Sequence, residues 1–294
     1  MPLIPQKYAP HSLIIGCVVF GLGSLIVKFV DVGAFAIAFW RLVIAGSVFW
    51  LLMRYYAQKL PENTKARRFA LLSGVFLGFD LAFWHESIYA VGPGISTLLN
   101  SLQIFFLAAI AWFFFGERQS RLQKISLLIA FVGVVLIAEP ELKHNINGGY
   151  GIFIGLVSGA MLAASMACIR QVYIAESTAL FPLMFLVSLG GSLVLLLPSL
   201  LLNSSNFFPS SLSDWGWVIV YGVVMQCFAW GLIAYSIPLI SLTITGLLLL
   251  SEPIAALVID YFLLHKSITA WQWLGAIITL FAIYLGSQQT KKTA

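Results

Sequence analysis

Apolar positions in this chain run in blocks too long for a soluble core, and the charged positions fall mainly between them. Residues 87–116, 145–169, 177–213, 215–251 and 267–290 contain no Asp, Glu, Lys or Arg. A helix crossing the hydrocarbon of a bilayer takes roughly 20 apolar residues. Splitting the blocks at their turn signals predicts ten spans, numbered here in chain order: 11–30, 34–56, 69–90, 93–115, 121–138, 150–172, 180–202, 213–235, 239–264 and 271–288. The fold class expected is an all-α polytopic membrane protein. The run after Lys7 is long and no small-x-small site closes it, so it reads as span 1 rather than a cleaved leader.

Composition agrees: of 294 residues, 61% are hydrophobic and 9% charged, against about a quarter charged in soluble domains. The net charge of +5 is no sign of nucleic acid, because the basic residues lie between spans. With both termini inside, twelve of them are cytoplasmic (Lys7, Arg54, Lys59, Lys65, Arg67, Arg68, Arg118, Arg121, Lys124, Arg170, Lys291, Lys292). Three are outside (Lys28, Lys143, Lys266) and Arg41 lies within span 2. This bias orients the chain with cytoplasmic termini in a bacterial-type inner membrane. Cys17, Cys168 and Cys227 sit inside spans without metal-ligand spacing and read as buried thiols. No metal or cofactor is expected. With no phosphate-binding glycine loop there is no nucleotide partner either, so transport is gradient-driven or downhill.

The two halves resemble each other. Asp80, Trp84 and Tyr89 in span 3 have the spacing of Gln226, Trp230 and Tyr235 in span 8, an offset of 146. "QIFFLAAIAWFFFGE" from Gln103 matches "EPIAALVIDYFLLHK" from Glu252 at an offset of 149. Five spans per half is an odd number, so the second copy must enter from the opposite face. The expected organisation is two inverted five-helix repeats, 1–140 and 141–294, a hallmark of secondary transporters with a midplane site.

"FAIAFWRLVIAG" in span 2, "WFFFGERQSRLQKISLLIAFVGVVLI" across spans 4 and 5 and "LLLLSEPIAALVIDYFLL" in span 9 resemble the EamA proteins of the drug/metabolite transporter superfamily. The resemblance covers nearly the whole chain. It implies a ten-helix transporter whose central cavity is lined mainly by spans 1, 3, 4, 6, 8 and 9, moving small metabolites, commonly amino acids. Two departures stand out: Ile104 replaces the proline that usually matches Pro253, and His265-Lys266 stands where the first copy has Gly116-Glu117.

Ionisable groups at membrane depth normally face a partner or a wet cavity. At a helical rise of 1.5 Å per residue, Arg41 lies about 10 Å, Asp80 about 14 Å and Glu86 about 6 Å below the outer surface. Arg41 can therefore reach either acid, and Arg41 and Asp80 are expected to form a structural ion pair. Asp260 and His265 read as interfacial. Glu252, beside Pro253 at mid-span, is either a substrate ligand or part of a helix-shaping Glu-Pro. Glu86 follows His85, and either is a candidate for a coupling proton or a satisfied polar pair. On span 3, residues 80, 84 and 87 share one helical face while 79, 83, 86 and 90 share another. Thr97, Asn100 and Gln103 form a polar stripe on span 4. The candidate substrate-binding set is Trp84, Glu86, Asn100, Gln103, Gln226, Trp230 and Glu252. Small residues (Gly16, Gly21 and Gly23; Gly155, Gly159, Ala160, Ala163 and Ala164; Gly190 and Gly191) allow close helix contacts.

The function expected is alternating-access transport of a small polar or amphipathic metabolite, with an amino acid or related amine first and export favoured. A carrier for choline-like amines or cationic drugs is the alternative, through cation–π contact. An intramembrane enzyme lacks a nucleophile in register with His85–Glu86, and a channel would want rings of like groups. The partners are the substrate and the bilayer, with monomer and homodimer both open.

Overall fold

The computed structural model describes residues 6–23, 26–27, 30–144, 149–262 and 267–287, and every regular element among them is helical. Helices Ala9–Gly21, Ala34–Tyr55 and Thr64–Val91 form spans 1 to 3. Arg121–His144, Gly149–Ala175 and Leu180–Leu202 form spans 5 to 7, and Ala270–Ser287 forms span 10. Among the described residues spans 1, 4, 8 and 9 are interrupted, span 1 at Leu22, whose N–H bonds to the Val19 carbonyl. Four helices (Ala34–Tyr55, Gly149–Ala175, Leu180–Leu202 and Leu212–Leu239) are long and apolar enough to cross a bilayer, joined by shorter apolar ones.

Polarity is inverted relative to a soluble protein. Leu51, Phe113, Phe114, Leu128, Leu197, Leu201 and Phe281 are exposed, while Arg41, Asp80, His85, Gln103 and Gln226 are buried. Because an exposed apolar patch of this extent finds no stable home in water, the outer face is a lipid face. The protein is a multi-pass membrane protein.

Helix packing repeats itself. Span 3 lies against spans 6 and 7, and span 8 against spans 1 and 2. Spans 2 and 7, 4 and 9, and 5 and 10 pack in pairs, so replacing each span by the one five places away preserves the pattern. Lipid tails are as apolar as leucine, so such contacts depend on close backbone approach. Glycine supplies it. A Cβ on Gly190 would overlap the Leu71 carbonyl between spans 7 and 3, and one on Gly16 would meet the Ala229 carbonyl at 2.7 Å between spans 1 and 8.

Connections gather at two ends. At one, Glu176 accepts from the Glu62 and Asn63 amides, and Arg170 pairs with Glu117 at 3.4 Å. Arg170 also donates to the carbonyls of Ile237 and Ile240, and Glu117 accepts from the Leu242 amide. At the other, Asn203 accepts from the amides of Phe35 and Ala36, capping span 2, and Asn206 donates to Asp31.

Span 4 breaks at Leu102, between helices Pro93–Ser101 and Gln103–Phe115. Span 9 breaks at Leu250, between Leu242–Leu249 and Ser251–Phe262. Span 8 runs as Leu212–Val220, then a π-helix over Tyr221–Ala229, then Trp230–Ser236. A reversal at Gly92, φ +85°, lets span 4 start immediately after span 3; this backbone conformation strains any residue with a Cβ.

Candidate functional site

Polar side chains at membrane depth from spans 2, 3, 4, 6 and 8 meet in the interior. The Asp80 carboxylate on span 3 accepts from Asn100 Nδ2 on span 4 at 2.9 Å and from Ser158 Oγ on span 6 at 2.7 Å. Asn100 Nδ2 also lies 2.7 Å from Ser158 Oγ, closing a buried triangle. Gly159 makes room for it: the Asn100 carbonyl passes 3.0 Å from where a Cβ would stand.

The expected Arg41–Asp80 ion pair is not formed. Arg41 donates from Nε to Gln226 Oε1 at 2.8 Å, and its guanidinium lies over the rings of Phe20 and Tyr221 at 4.7 and 4.4 Å. Depth alone left Arg41 free to reach Asp80, but the azimuth of each helix sends the two charges to different neighbours. The π-helix contributes to this. In an α-helix Tyr221 and Gln226, five residues apart, would diverge by about 140°; an i→i+5 turn brings them toward one face, where both meet Arg41.

His85 is fully buried. Its Nδ1 lies 3.2 Å from the Ala34 carbonyl and its Nε2 lies 2.9 Å from the Tyr221 hydroxyl. A carbonyl can only accept, so in the neutral ring Nδ1 carries the hydrogen and Nε2 accepts from Tyr221. Glu86 makes no hydrogen bond or ion pair among the described residues and is partly exposed, as are Phe79 and Phe83 on its face. The face of residues 80, 84 and 87 is buried. The crowding of Asp80, His85 and Glu86 in "FDLAFWHE" is thus a consequence of helical geometry: three neighbours in sequence serve three different surroundings.

Gln103 and Glu252 open the second segments of the two broken helices. Gln103 is 3% exposed, and its Oε1 has no partner. Glu252 is partly exposed although mid-span. Trp230 is buried with its ring 6.1 Å from that of Phe20, and its Nε1 is unpartnered. Trp84 is buried against His85 and accepts from Ser96 through its carbonyl. His265 and the Asp260 side chain lie outside the described residues.

Tyr221, Ser158 and Phe20 escaped the sequence reading. Ser158 had a signal, as a hydroxyl within the small-residue run of span 6. Tyr221 and Phe20 had none, since one aromatic in an apolar span looks like another.

A belt of buried polar groups inside an outwardly apolar helical bundle, at broken helices, defines a membrane carrier class. The EamA-like transporter family model matches residues 11–138 and again 149–287. The chain belongs to the EamA-like transporter family, within the drug/metabolite transporter superfamily. Among curated relatives, a WAT1-related chloroplastic protein of Arabidopsis thaliana is 26% identical over 267 residues, covering 86% of this chain. The match spans 62% of that plant protein's own length. An uncharacterized transporter of Synechocystis sp. is 27% identical, covering 88% of this chain and 83% of its own. A probable amino-acid metabolite efflux pump of Salmonella typhimurium is 27% identical over 207 residues, 67% of this chain and 68% of the pump. A solved crystal structure shares the fold with a TM-score of 0.73 at 13% identity, covering 96% of both chains.

Proposed function

We propose that this chain is a secondary active transporter that moves an amino acid or related amine across a bacterial-type inner membrane, with export favoured and both termini cytoplasmic. The observation that carries the reading is the pair of broken helices. Spans 4 and 9 are interrupted at corresponding places, and each interruption puts a polar side chain, Gln103 or Glu252, into the interior. Discontinuous helices in corresponding positions of two halves are the structural pointer to a carrier's binding site.

The same pattern supports two five-span repeats, residues 1–140 and 141–294, of opposite topology. Connections 2–3, 4–5, 6–7 and 8–9 meet at one end, so successive spans alternate in direction. Partners five apart therefore run oppositely, and rocking one repeat against the other would expose the site to each side in turn. Asp80 and Glu252 favour a substrate with a positive group, whose recognition Trp84, Asn100 and Gln103 would complete. Two relatives named as probable amino-acid metabolite efflux pumps make an amino acid the first class to try.

Counterflow tests the reading. Vesicles holding the purified protein and unlabelled amino acids should accumulate labelled amino acid transiently and saturably. Flux that rises linearly with concentration and ignores the internal pool would indicate a channel. Glu86 and Glu252 are partly exposed carboxylates through which a proton could couple. The variant that keeps counterflow but loses pH-driven accumulation, Glu86→Gln or Glu252→Gln, identifies the coupling group; if both accumulate normally, coupling does not run through either.

A further inference from the structure

We infer that Arg41, Gln226 and Trp230 form a carboxylate-binding subsite, so that the transported molecule is a zwitterion rather than a bare amine. The inference rests on the carrier reading and deepens it by naming the substrate class of the same site.

Three buried N–H donors without partners cluster here. They are Arg41 Nη2, Gln226 Nε2 and Trp230 Nε1, on side chains 1%, 0% and 1% exposed respectively. One contact and one shared ring gather them. Arg41 and Gln226 touch through Nε and Oε1 at 2.8 Å, and Arg41 and Trp230 both flank Phe20. Buried polar groups are otherwise hydrogen-bonded almost without exception, and buried charges are paired. Arg41 has no anion at ion-pair distance among the described residues.

The unmet capacity has a definite chemistry. It consists only of donors and includes a cation whose planar edge suits two oxygens at once. A carboxylate is the complement, as it only accepts and presents about four lone-pair sites. A quaternary or primary amine without a carboxylate would leave every donor unmet and meet repulsion from Arg41. Across the interior stand groups that can accept: the partnerless Gln103 Oε1 and the carboxyl groups of Asp80 and Glu252. Donors on spans 2 and 8 and acceptors on spans 3, 4 and 9 together fit a molecule with an ammonium and a carboxylate.

The test screens the purified full chain in nanodiscs against the twenty proteinogenic L-amino acids by thermal shift. The strongest binder is then compared with its C-terminal amide and its decarboxylated amine. Loss of a charge-assisted hydrogen bond weakens binding roughly 10- to 100-fold, and both analogues should lose at least that. Trp230→Phe, which keeps a ring but not the N–H, and Gln226→Met should weaken the amino acid more than the amine, lowering the ratio of their affinities. Gln226→Glu should give Arg41 an internal anion, raising the melting temperature without ligand and abolishing amino acid binding. A merely structural role would not move stability and binding in opposite directions. Equal binding of amino acid, amide and amine overturns the inference, as does an unchanged ratio in all three variants. Counterflow of the amine would then still support a carrier. Absence of exchange with every probe overturns both readings.

Discussion

Leu102 and Leu250 hold nearly the same backbone conformation, φ/ψ −67°/−6° and −64°/−8°, one at the interruption of span 4 and the other at that of span 9. Each donates its N–H to the carbonyl three residues earlier, at 3.2 Å in both. A helix tightened to an i→i−3 bond leaves backbone groups near the break with fewer internal partners, and irregular backbone at membrane depth is tolerated where it faces a protein-lined interior. Pro253 follows closely after the break in span 9, whereas span 4 breaks without a proline. The geometry therefore comes from packing, with Ile104 seated on Gly246 of span 9 at 3.2 Å from its missing Cβ.

The backbone at position 104 should accept proline, so Ile104→Pro should cost no more than the lost side-chain contact on Gly246. Position 104 lies in the first turn of its helix, where a missing N–H costs little. Leu107→Pro, one turn further on, should lose about 3 kcal/mol or more. Folded yield after detergent extraction, by size-exclusion fluorescence, checks the pair; equal collapse of both would show that Leu102 and Leu250 break for different reasons.

His85 is predicted to be structural. Tyr221→Phe removes the hydroxyl that Nε2 accepts from and should cost about 1–3 kcal/mol of stability by leaving a buried acceptor unmet. The pH dependence of transport should be unchanged. A pH profile displaced by Tyr221→Phe would instead make His85 part of the coupling path.

We predict that Arg170 and Glu117, which tie the ends of spans 4 and 6 to the connection between spans 8 and 9, act as a latch. Arg170→Met removes the ion pair and the donors to Ile237 and Ile240. Charge-assisted hydrogen bonds are worth roughly 1.5–3 kcal/mol, so a reporter cysteine at Thr243 should react at least ~10-fold faster when the latch is cut. An unchanged rate would mean that the end is held shut by apolar packing alone.

Sidedness follows from the two groups of connections. Single cysteines at Thr64 and Arg118, both exposed, should be labelled from the same side, and one at Ser205 from the other. Labelling of all three from one face would remove the alternation on which the inverted repeat depends.

The sequence alone determined the membrane class, the ten apolar spans, the internal duplication and the family resemblance, because each depends on one-dimensional statistics. Spans are long charge-free runs, and repeats are recurrences at a fixed offset. It also picked out most polar candidates, since a charge or amide at membrane depth is conspicuous wherever it points. What it could not reach was pairing. Asp80 and Arg41 lie within reach of one another by depth, yet Asp80 turns to Asn100 and Ser158 while Arg41 turns to Gln226, Phe20 and Tyr221. The rotation of each helix about its own axis decides that, and it is set by glycine contacts such as Gly159 beneath Asn100 and by the π-helix at Tyr221–Ala229. Neither leaves a local mark in the sequence: the first involves residues 59 positions apart in the chain, and the second is a change of helical pitch that "YGVVMQCFA" does not spell. The partnerless donors of Arg41, Gln226 and Trp230 are the outcome of those two tertiary choices.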